Sequence, residues 1–185
     1  MKEFDYIVVG GGSGGCAMAG RLSEDPKLSV CLLEAGGSDD QMLIRVPFCT
    51  VVMLPTRINN WAFETVPQPG LNGRRGYQPR GKALGGSSSI NAMVYMRGHP
   101  SDYDHWAALG NDGWSFRDVL PYFRKSENNE DFEDEYHGRG GPLNVARLRS
   151  MNPFQEIYLE AARQAGFKLI DDFNGADQEG IGIHQ

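Results

Sequence analysis

Residues Gly10 to Gly15 read GGGSGG, five glycines around a single serine. Glycine loses more backbone freedom on folding than any other residue. Such a run therefore implies a chain that turns with positive φ, or that meets another group more closely than a Cβ allows. Tyr6–Val9, just before it, is short, apolar and β-branched, as expected of a strand buried on both faces. Cys16–Leu22, just after it, carries small apolar residues suited to a helix lying close on a sheet, and Ser23–Pro26 ends that helix. Leu28–Leu33 is a second apolar strand, and it runs into Glu34, nineteen residues beyond Gly15. Strand, G-x-G-x-x-G at Gly10, Gly12 and Gly15, helix, strand and acid make up a βαβ unit with the dinucleotide-binding fingerprint.

Each position has a separate physical task. Gly10 permits the tight turn out of the strand, Gly12 lets a pyrophosphate approach the backbone, and Gly15 lets the helix lie against the strand. With Ser13 and Gly14, these residues form the predicted phosphate cradle at a helix start, where unpaired N–H groups and the positive dipole end favour an anion. The Glu34 carboxylate suits a ribose diol and disfavours a 2′-phosphate, so NADP fits least. FAD and NAD both fit this local chemistry.

Composition narrows the class further. The chain has 185 residues, 40% hydrophobic and 23% charged, with a formal net charge of -6. That balance is globular and offers no basic patch for nucleic acid. The 24 glycines are aperiodic and cluster at 10–15, 36–37, 85–86 and 138–141, as tight loops do. Cys16, Cys31 and Cys49 lack metal-site spacing and are odd in number, which predicts free thiols in a reducing compartment. No stretch has the length of a secretory signal core or a membrane span. The expectation is a cytoplasmic protein, with peripheral association at the inner membrane allowed.

A second glycine loop lies in Pro79–Gly98, PRGKALGGSSSINAMVYMRG. Backbone N–H groups from Gly85 to Ser89 suit a phosphate or a flavin edge, and Asn91 can hold the loop through its side-chain amide. Ile90, Met93, Val94 and Met96 read as buried. The plainer reading is a loop entering a core strand.

The stretch from Gly81 to Asp104, together with GGGSGG and Glu34–Gly37, resembles the signatures of the glucose–methanol–choline (GMC) oxidoreductase family. Asn60–Thr65, Gly113–Ser115, Leu120–Phe123, Tyr136–Leu143 and Asp172–Gly175 agree with it, and the likeness is greatest to the choline dehydrogenase and aliphatic alcohol dehydrogenase branch. The resemblance implies an α/β fold. Its Rossmann-like FAD-binding domain is discontinuous and is followed by the beginning of an α+β substrate domain. The implied divisions are 1–40 for the βαβ unit, 41–80 for a lid or extended connection, 81–110 for the flavin-proximal segment, and 111–185 for the start of the substrate domain.

The resemblance also implies an oxidoreductase that passes hydride from a primary alcohol to flavin N5 and is reoxidised by a quinone, a dye or oxygen. Gly10, Gly12, Ser13, Gly14 and Gly15 would hold the pyrophosphate, and Glu34 the adenosine ribose. Trp61 would lie near the cofactor. Gly86, Ser87, Ser88, Ser89, Asn91, Ala92, Met93 and Val94 would line the flavin and its ribityl chain. Some relatives attach FAD through a histidine at the position of Ile90, so non-covalent FAD is expected here. The family's catalytic histidine lies near the end of a much longer chain. His99, His105, His137 and His184 read as surface or structural residues, and none is assigned to catalysis. The expected product is a portion of the enzyme that is inactive alone. The alternative is an FAD- or NAD-binding module without catalysis.

The remaining segments predict organisation. Residues 41–59 are apolar without a clean period, and 65–80 form an exposed connection. Helices are predicted at Ser101–Leu109, capped by Ser101, and at Ser115–Lys125. Asn128–Glu135 reads as a solvated loop. Asn152 caps a helix that has Pro153 at its first position and ends at Gly166. Its apolar stripe of Phe154, Ile157, Tyr158, Ala161, Ala162 and Ala165 should face the core. Leu169 onward reads as a turn into a strand.

Overall fold

The computed structural model describes residues 2–185. The chain divides into two compact units, one ending at Met93 and the other comprising Val94–Gln185. In the first unit, strand β1 (Tyr6–Val9) leads to helix α1 (Ser13–Leu22), and strand β2 (Val30–Leu33) returns parallel to β1 with Tyr6 opposite Val30 and Val9 opposite Leu33. The predicted βαβ unit is therefore present. The expectation of strands buried on both faces is corrected. Helix α1 packs on the pair, yet Val9 is 82% exposed and Ile7 is also open. The sheet has only these two strands among the described residues, so a single helix covers it.

The apolar segment after Glu34 folds into short helices α2 (Met42–Arg45) and α3 (Thr50–Met53). Met53 is fully buried, whereas Met42 and Phe48 are exposed. The connection predicted over 65–80 turns back on itself, because strand β3 (Phe63–Glu64) pairs antiparallel with β4 (Tyr77–Gln78). Buried Asn60 ties these pieces together. Its Nδ2 donates to the carbonyls of Leu54 (3.0 Å) and Thr56 (2.8 Å) and to the Tyr77 hydroxyl (2.8 Å). Its Oδ1 accepts from the N–H groups of Ala62 (3.0 Å) and Arg80 (2.9 Å).

The second unit has helices α4 (Pro100–Ala108) and α5 (Phe116–Ser126), a parallel pair β5 (Glu127–Asn129) and β6 (Leu143–Val145), and helix α6 (Pro153–Gln164). His99, and not Ser101, caps α4. Its ring accepts from the Ser101 N–H, and Asp102 accepts from the His99 N–H. Pro100 then takes the first helical position, where its missing N–H costs nothing. Ser115 caps α5 as the sequence suggests, with Asp118 completing a capping box. Asn152 likewise caps α6, accepting from the Phe154 N–H at 3.0 Å, and Gly166 ends the helix with φ +85°.

Three expectations fail in this unit. The apolar stripe of α6 does not face a core, since Phe154, Ile157 and Tyr158 are exposed and only Ala162 is buried. Asn128 and Asn129 belong to β5 and not to a solvated loop, and Asn129 is buried. No strand follows Leu169; a single bridge joins Leu169 to Ile181. The buried side chains here are mostly polar, with Arg97, Glu127, Asn129, His137 and Asn174 beside Val145 and Ala162.

Removing Asn60 would orphan the Ala62 and Arg80 N–H groups and leave the Thr56 carbonyl without its Asn60 donor, while the Leu54 carbonyl keeps the Tyr77 hydroxyl. Asn60→Ala is expected to lower the unfolding free energy of the first unit by about 1–3 kcal/mol, as read by urea denaturation followed through tryptophan fluorescence.

Candidate functional site

The site forms where two glycine elbows meet. Gly10 leaves β1 at φ +99°, a conformation open to glycine and costly for other residues. A Cβ on Gly15 would fall inside contact distance of the Gly10 carbonyl oxygen, so this glycine fixes how closely α1 lies on β1. Gly12 differs. A Cβ there would meet nothing within 4 Å, so the space over its backbone is free. Gly12 also precedes the first turn of α1 without any side-chain cap or acidic residue, leaving the early N–H groups available to an anion.

The second elbow is built against the first. Gly12 bridges to Gly85, whose N–H donates to the Gly11 carbonyl at 2.7 Å. A Cβ on Gly86 would stand 2.8 Å from the Gly12 Cα, and one on Gly81 would enter the Gly86 carbonyl. Gly37 bridges to Ala83, and the Leu84 N–H donates to the Gly37 carbonyl at 2.9 Å. The serines secure the turn. Ser87 Oγ accepts from the Gly81 N–H (3.1 Å), Ser88 Oγ donates to the Gly85 carbonyl (2.6 Å), and Ser89 Oγ donates to the Leu84 carbonyl (2.6 Å).

Glu34 anchors the end of β2 to both neighbouring loops. Its Oε2 accepts from the Gly11 N–H at 2.7 Å, and its Oε1 from the Gly36 N–H at 2.8 Å. The cleft above has a volume of about 600 Å³. It is lined by Val9, Gly10, Gly12, Leu33, Glu34, Ala35, Trp61, Phe63, Arg80, Gly81, Gly86 and Ser87. Trp61 stacks on Phe63, with ring centroids 5.6 Å apart and planes 9° apart, and Lys82 Nζ lies 4.2 Å from the Trp61 ring centroid. A flat aromatic wall with a cation on it, opposite phosphate-sized backbone donors, suits a ligand that is planar at one end and anionic at the other.

Most residues singled out in the sequence thus converge. Gly10, Gly12, Glu34, Trp61, Gly86 and Ser87 line one cleft, with Ser13, Gly14 and Gly15 directly behind in α1. Asn91 holds its own loop, its Oδ1 accepting from the Met93 N–H at 2.9 Å. Of the apolar residues expected to be buried, Ile90 is (3% exposed), whereas Met93 (58%), Val94 and Met96 are open. Ala92 is exposed too, and Val94 opens the second unit. No strand forms over 91–99; Met93 instead takes φ +58°, a left-handed turn that breaks any alternation. The sequence reading missed Arg80, Lys82 and Phe63. Only their nearness to the second glycine loop and to Trp61 marked them.

A βαβ unit with this fingerprint, buttressed by a second glycine elbow, defines a dinucleotide-binding protein of the α/β class. The family model described as GMC oxidoreductase matches residues 4–185, and the chain belongs to that family. Its fold is that of the family's N-terminal, FAD-binding domain. The chain is 48% identical over 181 residues to an oxygen-dependent choline dehydrogenase of Sinorhizobium fredii, covering 98% of this chain and 33% of that protein. It is 47% identical over 183 residues to an alcohol dehydrogenase [acceptor] of Pseudomonas putida, with the same coverage. Among solved structures it resembles pyridoxine 4-oxidase from Mesorbium loti, at a TM-score of 0.89 and 35% identity over 96% of this chain and 35% of that one. The chain spans about one third of the length of these relatives. No described helix is long and apolar enough to cross a membrane.

Because Gly15 has no room for a methyl group, Gly15→Ala is expected to cost about 1–3 kcal/mol of stability. Glu34→Gln should also be destabilising, since its amide group would confront one of two backbone N–H donors. Thermal melts of both variants beside the parent chain would check this.

Proposed function

We propose that this chain is the cofactor-binding part of an FAD-dependent oxidoreductase that converts a primary alcohol, aliphatic or choline, to its aldehyde. The observation that carries the reading is the pair of glycine elbows joined backbone to backbone beneath the cleft, with free α1 amides at one end and the Trp61 wall at the other. FAD fits these residues better than NADP, because the Glu34 carboxylate would repel a 2′-phosphate. Family membership, and kinship with choline and alcohol dehydrogenases, favour FAD over NAD.

In this reading Gly10, Gly12, Ser13, Gly14 and Gly15 bind the pyrophosphate through backbone donors at the start of α1. Glu34 accepts hydrogen bonds from the adenosine ribose. Trp61 packs along the cofactor; Gly86 and Ser87 line the cleft, and with Ser88, Ser89, Asn91, Ala92 and Met93 they would line the flavin and its ribityl chain. Bound FAD supplies a hydride acceptor at flavin N5. The chain's contribution is to fix that acceptor and to exclude water along the glycine-lined wall. Ile90 is buried and has no nucleophilic atom, which supports a cofactor held non-covalently.

A second reading is a nucleotide-binding module without turnover of its own. It is favoured by one observation: no histidine lines the cleft, and all four belong to the second unit. An alcohol needs a base to take its hydroxyl proton as hydride leaves, and imidazole is the usual choice.

The purified chain should retain FAD through desalting, with flavin absorption, and release all of it to the supernatant on acid precipitation. Gly12→Ala should melt like the parent chain, yet bind FAD at least about tenfold more weakly, a loss of ~1.4 kcal/mol. A colourless chain that binds NAD instead would sink the assignment.

A further inference from the structure

The second unit is organised around a group that the proposed redox chemistry does not use. His137 is 1% exposed, and both of its ring nitrogens face carboxylates. Nδ1 lies 3.1 Å from Glu127 Oε1, and Nε2 lies 2.9 Å from Asp172 Oδ2. The other partners of these carboxylates are donors. Glu127 Oε2 accepts from Arg97 Nη2 (2.8 Å) and the Gly138 N–H (2.9 Å), and Oε1 accepts from Asn129 Nδ2 (3.0 Å). Asp172 Oδ1 accepts from the Asn174 N–H at 2.7 Å. Neutral imidazole has one donor nitrogen and one acceptor. A neutral ring here would set its Nδ1 lone pair 3.1 Å from an ionised Glu127 oxygen, relieved only by Asn129 Nδ2 at 3.2 Å, which already donates to that same oxygen at 3.0 Å, whereas an imidazolium satisfies both carboxylates. Arg97, His137, Glu127 and Asp172 then form a quartet with no net charge.

We propose that His137 is a buried imidazolium whose two carboxylate bonds clasp together Tyr95–Arg97, β5 and the loops around Tyr136–Gly138 and Asp172–Asn174, and that loss of its proton opens this clasp. The reach of the quartet supports the role. Arg97 Nη1 donates to the Tyr136 carbonyl at 2.7 Å, and the Arg97 N–H donates to Asn174 Oδ1 at 2.8 Å. Asn174 Nδ2 returns to the Tyr95 carbonyl at 3.1 Å. Arg97 is the residue best able to stay charged when buried, and its guanidinium lies over the Phe123 ring, 5.3 Å from the centroid.

Other elements packed on His137 leave its charge requirement unchanged. Arg124 of α5 donates to its backbone carbonyl at 3.2 Å, and Asp134 accepts from its backbone N–H at 2.9 Å. Phe132 covers the ring at 5.2 Å between centroids, and Arg147 lies over the far ring, 5.0 Å from its centroid.

Burial alone would lower the pKa of His137, but the bonds and charges of Asp172 and Glu127 outweigh it, and the pKa stands above the ordinary 6.5. Burial would raise those of Glu127 and Asp172. Hydrogen bonds from Asn129, Gly138 and His137 to the first, and from His137 and Asn174 to the second, with the nearby cations, bring them below the ordinary 4.5 and 3.8. The histidine's contribution to stability is therefore complete below pH 6.5 and is lost as pH rises through its folded value. The carboxylates' contribution is complete above about pH 4.5 and is lost as pH falls through their folded values.

The test is nitrogen-15 NMR of the imidazole groups in the unaltered full chain, with thermal melts over the same pH series. At pH 7, His137 should show both ring nitrogens protonated, and its titration midpoint should lie above 6.5. The melting temperature should fall as pH rises through that midpoint. His137→Asn should remove this pH-dependent fall. Asp172→Asn, whose side chain is partly exposed, leaves one carboxylate partner and should move the midpoint down by about one to three pH units. A neutral His137 tautomer at pH 7, or an unmoved midpoint in Asp172→Asn, would overturn the proposal without requiring His137→Asn to fold.

Discussion

Backbone meets backbone without a Cβ between them at the centre of the first unit, and the geometry of the cleft depends on that contact. The first elbow sets α1 against β1 through Gly15, and the second rests on the first through Gly85 and Gly86. Each contact excludes every side chain larger than hydrogen, so it cannot be made gradually looser by substitution. The gain is stiffness in a region of little regular structure. Residues 81–89 have only a short 3-10 turn, Gly86–Ser89, yet they are tied to Gly11, to Gly37 and to the serine hydroxyls. A ligand wall made this way presents amides and carbonyls at fixed positions, which lowers the ordering cost of binding.

The second unit uses a different device. Few of its apolar side chains are buried, and charged groups hold its centre. Taking charges out of water is expensive, and a buried ion pair often does no better than a well-packed apolar substitute. What such a network adds is uniqueness of arrangement. Glu127 accepts from four separate donors, and no buried side-chain polar atom among the described residues lacks a partner. Loops without regular structure, such as Tyr136–Gly138, are tied into this network through Arg97, Asp134 and Glu127.

What could be read from sequence was what local chemistry determines. The glycine fingerprint, Glu34 at the strand end and the Asn152–Pro153 start of α6 each state their structure within a few residues, and each is present. Asn91, expected to hold the Gly85–Ser89 loop, instead accepts from the Met93 N–H two residues on. The failures lie where distant partners decide. His137 sits in a glycine-rich stretch whose sequence left a surface and a structural role both open, and its burial follows from Asp172, 35 residues away, and from Arg97 through Glu127. Helix α6 shows the converse. Its stripe is a true amphipathic pattern, but a pattern states which face is able to pack and not what packs on it, and Phe154 and Ile157 remain open. Met93 fails for a third reason: hydrophobic alternation assumes an extended chain, and its φ of +58° is not extended.

In the proposed reading, Glu34 would combine structural and recognition duties in one side chain. An acid at this place could be a mobile carboxylate that orders itself around a sugar. It is instead held by the N–H groups of Gly11 and Gly36, one to each oxygen. Each carboxylate oxygen has a second lone pair, so both anchors can persist while the group accepts from a diol. The same anchoring prevents retreat, and a phosphate at the ribose 2′ position would meet a fixed negative charge with no room for relaxation. In the proposed reading, selectivity against the phosphorylated sugar would come from the bonds that also join the glycine elbow to the end of β2. A substitution at Glu34 would disturb recognition and fold together, and the two effects would be separable only by comparing ligand binding with stability.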